Sequence, residues 1–138
     1  MLVKHGDLEE EIDVLIAPLI LEMWKAGIET LMSCQSAFKK VWIQFPDVSE
    51  VEKFLNIAGG DFDHHRRGSL YDRLSDQWFV KNQRFYNARC WEYEVGIIDF
   101  GKDQQEDCPF FSLYINVRFP KRDLPAVLER MQRYNAAS

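Results

Sequence analysis

Residues 59–74, GGDFDHHRRGSLYDRL, gather the side chains best suited to chemistry in one apparent connection. Asp61, Asp63, His64 and His65 carry the oxygen and nitrogen donors of a transition-metal site. Their spacing departs from the patterns that announce one: the chain has no HxH, no HExxH and no second Cys/His pair. Adjacent histidines point in different directions, so an ion would have to recruit Cys34, Asp99 or His5 from afar. The expectation is a polar loop with no metal and no cofactor. A small metal-dependent hydrolase or nuclease built on residues 61–67 is the alternative. Arg66, Arg67 and Ser69 form a candidate anion site, a guanidinium fork ahead of a capped turn. The Gly-Lys-Ser/Thr ending of a Walker loop is absent.

Two further groups could act. Ser33-Cys34-Gln35 closes an expected strand, and Cys34 as a nucleophile would need a base such as His64 or His65 beside it. A free cysteine is more often a small buried hydrophobe, and that reading takes precedence. The other group is a sheet face. Glu92, Glu94, Ser112, Tyr114, Asn116 and Arg118 alternate with apolar residues along two expected strands, with Trp42 on a third. Such a face can be a solvated surface, a homodimer interface anchored by Trp42, or a site, in that order of preference.

Elements that position these residues are written in the apolar spacing. Ile12, Leu15, Ile16, Leu19, Ile20, Met23 and Trp24 make a helical stripe over 8–26, with Asp7 and Glu10 at capping-box spacing and Gly27 as the stop. Pro18 demands a kink or a fresh helix start there. Residues 28–34 and 39–45 predict a hairpin, with Val41, Ile43 and Phe45 on one face and Trp42 and Gln44 on the other. Asp47 and Glu50 cap a helix that Gly59-Gly60 closes. Residues 90–97 and 111–119 predict a second hairpin, and Asp123 starts a final helix to about 135. The 138 residues therefore predict a single α+β domain. Its four-stranded antiparallel sheet carries helices on one face and resembles a permuted ferredoxin-like arrangement.

Composition narrows the partners. Net charge is −5, yet residues 1–30 hold a net −5 and residues 64–89 a net +4. Overall acidity makes nucleic acid an unfavoured partner, although Tyr71, Trp78, Phe79, Phe85 and Tyr86 interleave the basic block. No apolar run is long enough to span a bilayer, and MLVKHGDLEEE lacks the h-region of a signal peptide. Three cysteines without a CxxC pair fit a reduced, cytoplasmic setting. Pro18, Leu19, Ile20, Trp24, Gly27, Ile28, Thr30, Ser33, Cys34 and Gln35 resemble a pattern of small uncharacterised bacterial and phage proteins, PL(I/V)..LW..GI.T..SCQ. That resemblance covers residues 18–35, with Ser36 where related chains often place Gly, and it implies a helix–strand unit without naming a reaction. The best reading is a non-catalytic binding or self-associating, regulatory domain.

Overall fold

In a computed structural model of the chain, the described residues are 1–37, 40–60, 91–99 and 111–137. The expectations attached to Asp61, Asp63, His64, His65, Arg66, Arg67 and Ser69 lie outside them, as do those on the turn and short strand of residues 70–81.

The first departure from the sequence reading comes at once. Residues 8–11 are strand, not helix: β1 (Leu2–His5) pairs antiparallel with β2 (Leu8–Glu11). Gly6 and Asp7 form the two-residue turn between them, with Gly6 at φ +59°, where hairpin turns place glycine. Asp7 and Glu10 are thus hairpin residues rather than a cap. Helix α1 begins only at Ala17 and runs to Lys25, with Pro18 in its first turn, where the missing N–H has no helical partner to lose. Its end follows the sequence closely. Gly27 takes φ +78°, the Gly27 N–H reaches the Trp24 carbonyl and the Ile28 N–H the Met23 carbonyl, a Schellman closure with buried Met23 and Ile28 beside it.

Strands β3 (Met32–Ala37) and β4 (Lys40–Phe45) form a hairpin as expected, although β3 begins at Met32 rather than at residue 28 and runs on to Ala37. Asp47 then caps α2 (Val48–Gly59) by accepting the Glu50 N–H at 3.1 Å. Its carboxyl is held below the usual range, first by the Ser49 hydroxyl and then by that N–H. The cap is therefore in place above the ordinary carboxylate value and is lost as pH falls through the lowered one. Strands β5 (Glu92–Asp99) and β6 (Phe111–Pro120) follow, then a 3-10 turn (Lys121–Asp123) and α3 (Leu124–Ala137).

The sheet order is β3-β4-β6-β5, antiparallel throughout. Val41, Ile43 and Phe45 stand opposite Phe119, Val117 and Ile115. All six are buried in one cluster with Leu19, Ile20, Met23, Phe54, Val127 and Met131 of the helices. The helices therefore cover one face. Trp91 stacks on Phe119 at 4.6 Å between ring centres, and its indole N–H donates to Asp123 Oδ2 at 2.9 Å. Asp123 thereby ties the start of α3 to the sheet.

Alternation placed Tyr93, Val95 and Ile97 on the helix side, and the register agrees. Cover does not follow: Val95 and Ile97 are each 65% exposed. Ile115→Ala should cost about 2–5 kcal/mol, as truncation of a buried aliphatic does. Val95→Ala, its cross-strand partner, should move stability by no more than about 0.5 kcal/mol. Urea unfolding at low protein concentration checks both, and equal losses would contradict this boundary of the core.

Candidate binding face of the sheet

The same β4–β6 register that seals the core sends the even-numbered residues to the other side. Across that second face run two rows: Cys34, Trp42, Arg118 and Glu92, and beside them Met32, Gln44, Asn116 and Glu94. The sequence singled out Trp42, Glu92, Glu94, Tyr114, Asn116 and Arg118, and all six are here.

Most of the polar groups are committed to each other. Gln44 Nε2 donates to Asn116 Oδ1 at 3.2 Å, and Asn116 Nδ2 donates to Glu94 Oε1 at 3.1 Å. That chain gives Asn116, buried on this side, both a donor and an acceptor. Lys40, wholly buried, reaches across to form an ion pair with Glu92. Sequence reasoning missed Lys40. Its parity with Trp42 and Gln44 would have placed it on this face, but nothing in the spacing announced that it would be buried. Tyr114 fills the place beside Gly96, where an added Cβ would sit 2.0 Å from the ring. A side chain there would displace the Tyr114 ring, which covers the backbone that the glycine leaves bare. On the other face, burial pushes the Tyr93 phenol well above its ordinary value, so it stays neutral.

Two groups differ from the rest. The Trp42 indole N–H is shielded from solvent and meets no acceptor among the described residues. Arg118, directly across from Trp42 on β6, makes a loose ion pair with Glu94 at 3.6 Å, beyond hydrogen-bond reach. A shielded donor and an under-used guanidinium thus lie side by side, both presenting N–H groups and no acceptor.

The other sequence candidates separate. Cys34 is half-buried on the edge strand, with Trp42 as its cross-strand neighbour, and the bases expected beside it, His64 and His65, lie outside the described residues. Gln35 is structural: its N–H donates to Asp13 Oδ2 at 2.9 Å and its Oε1 accepts the Leu15 N–H at 2.7 Å. Trp24 donates its indole N–H to Thr30 at 3.1 Å. These contacts give residues of the 18–35 pattern a local task, that of holding α1 against the strand that follows. Among the described residues, no three His, Cys, Asp or Glu side chains converge as metal ligands, and no helix is long and apolar enough to cross a membrane.

Comparison with known proteins adds one relative and no activity. The chain is 27% identical over 134 residues to the uncharacterized protein R428 of Acanthamoeba polyphaga mimivirus. The match takes in 94% of this chain, which spans 64% of the viral protein's length. No family model matches, and no solved structure does.

Trp42 and Trp91 make a matched pair for a stability test. Trp91→Phe removes one hydrogen bond from the buried Asp123 carboxylate and should cost about 1–3 kcal/mol. Trp42→Phe removes an unpaired donor together with part of the ring's packing, two effects of opposite sign, and should cost less than Trp91→Phe. Denaturant midpoints at constant slope decide; a Trp42→Phe loss as large as that of Trp91→Phe would mean the indole has a partner.

Proposed function

We propose that this chain is a non-catalytic binding domain whose working surface is the second face of the sheet, where Trp42 and Arg118 receive an anionic acceptor, a carboxylate or a phosphate. The observation that carries the reading is the shielded indole N–H of Trp42 without an acceptor. An unmet donor of this kind costs about 1–3 kcal/mol, and a bound acceptor offsets it. Arg118 supplies the complementary charge and the planar fork that suits an oxyanion. The Gln44–Asn116–Glu94 chain and the Lys40–Glu92 pair hold the surrounding strands in one geometry. Cys34 has Trp42 as its neighbour, which favours binding over nucleophilic chemistry. A chain of net charge −5 favours a small anion or an acidic side chain over a nucleic-acid backbone.

The strand order, with α2 between β4 and β5 and α3 after β6, supports a permuted ferredoxin-like arrangement. The odd cysteine count supports a reducing, cytoplasmic setting.

Thermal unfolding with inorganic phosphate and, separately, with citrate tests the site. A ligand at a hundredfold excess over its Kd stabilises by about 2.7 kcal/mol, a shift of several degrees in Tm. At least one of the two anions should raise the wild-type Tm, and both Arg118→Gln and Trp42→Phe should abolish the shift. No shift with either anion, or one unchanged in both variants, overturns the proposal.

A further inference from the structure

The two edges of the four-stranded sheet are built differently. On β3 the register breaks between Cys34 and Ala37, and Gln35 binds the 13–15 segment alongside. Bulges and covering segments keep an edge from pairing with another chain. Strand β5 has no such break. Its register with β6 is continuous from Glu92 to Asp99, and no strand pairs with its outer side among the described residues. Its sequence, EYEVGIID, contains neither the proline nor the lysine that commonly blocks an edge. Beside that edge Val95, Ile97 and Leu113 lie on the helix-side face yet are 65%, 65% and 52% exposed. Ile97 and Leu113 are cross-strand partners, so the three form one patch.

We propose that β5 pairs with β5 of a second copy of this chain, antiparallel about a two-fold axis at Val95, joining the two sheets into one. Charge and face select that centre. With Val95 opposite Val95, Tyr93 meets Ile97 and Glu94 meets Gly96, so the apolar row crosses the seam unbroken. An axis at Tyr93 would set Glu92 against Glu94, and one at Ile97 would set Val95 against Asp99. An axis midway between Val95 and Gly96 would oppose Glu92 to Asp99 and turn the apolar row of one copy to the second face of its mate. Like charges directly opposite are destabilising. Among the centres free of them, only Val95 keeps Tyr93, Val95 and Ile97 all opposite apolar partners: Gly96 would set Tyr93 against Asp99, as Ile97 sets Val95. The pairing closes on itself, because each copy uses the same edge, the one that no strand covers among the described residues. Trp42 and Arg118 play no part in the contact.

Sedimentation velocity on the intact chain, from low to high micromolar concentration, reads the assembly. Wild type should become a dimer, and Val95→Lys, which brings two ammonium groups together at the axis, should remain a monomer. Should Val95→Lys fail to fold, cysteine placement provides a second reading. With Cys34, Cys90 and Cys108 all changed to Ser, Val95→Cys should form a disulfide dimer under mild oxidation, because directly opposed strand residues lie within disulfide reach. Leu113→Cys in the same background, one strand removed from the seam, should cross-link far more slowly. A wild type monomeric throughout, a dimer indifferent to Val95→Lys, or cross-linking as fast at 113 as at 95 overturns the proposal.

Discussion

The register of β4 against β6 is the constraint on which the rest depends. Val41, Ile43 and Phe45 oppose Phe119, Val117 and Ile115, while Trp42 and Gln44 oppose Arg118 and Asn116. Strand side chains alternate with a period of two, so a slip of one residue would put an arginine and an asparagine under the helices and the core aromatics into water. The penalty for that slip is the cost of burying unpaired polar groups, and it fixes both faces together. The candidate binding residues are therefore positioned by the same hydrophobic residues that drive folding. Neither face can be altered in register without the other.

What sits over the core face is then locked by a few buried or half-buried polar contacts, each with its partner. Asp123 takes the Trp91 indole N–H, Arg130 donates to the Ala58 carbonyl near the end of α2, and Asn135 donates to the Glu22 carbonyl of α1. Glu50 accepts the Glu29 N–H ahead of β3, and its bond to Lys53 holds that ammonium charged by raising its proton affinity. These bonds specify how helices sit relative to one another, which apolar contact alone leaves loosely determined. They also explain how polar residues distributed along the chain serve a core that composition would assign to aliphatics.

The sequence read the sheet more accurately than the N-terminus, for a physical reason. Over 41–45 and 113–119 the alternation is strict, so strand type and face both follow directly. Over 8–16 the apolar residues Ile12, Leu15 and Ile16 satisfy helical spacing by coincidence, and three glutamates favour helix as well. The decisive signal was Gly6-Asp7, a two-residue hairpin turn, and pairing with β1 outweighed local propensity. Alternation also misjudged Val95 and Ile97, because it reports the face of a residue and is silent on whether a helix extends far enough to cover it. Lys40 and the isolation of the Trp42 indole are likewise tertiary facts. Both depend on what lies across neighbouring strands, which no one-dimensional spacing encodes.

The two tryptophans beside this sheet differ in how their indole N–H groups are met. Trp91 lies on the helix side, stacks on Phe119 and has its N–H satisfied by a buried carboxylate. Trp42 lies on the other side, next to a loosely held arginine, with its N–H shielded and unmet. Replacing Trp42 by phenylalanine would remove the cost of the unmet donor along with part of the ring, so an indole there carries a polar cost that its packing has to offset. Levels of organisation that agree everywhere else in the sheet disagree at this one residue, and such local conflict is characteristic of sites shaped by something other than folding. The surface where the fold leaves a donor unsatisfied is thus the surface where an acceptor from outside the chain would have the largest effect.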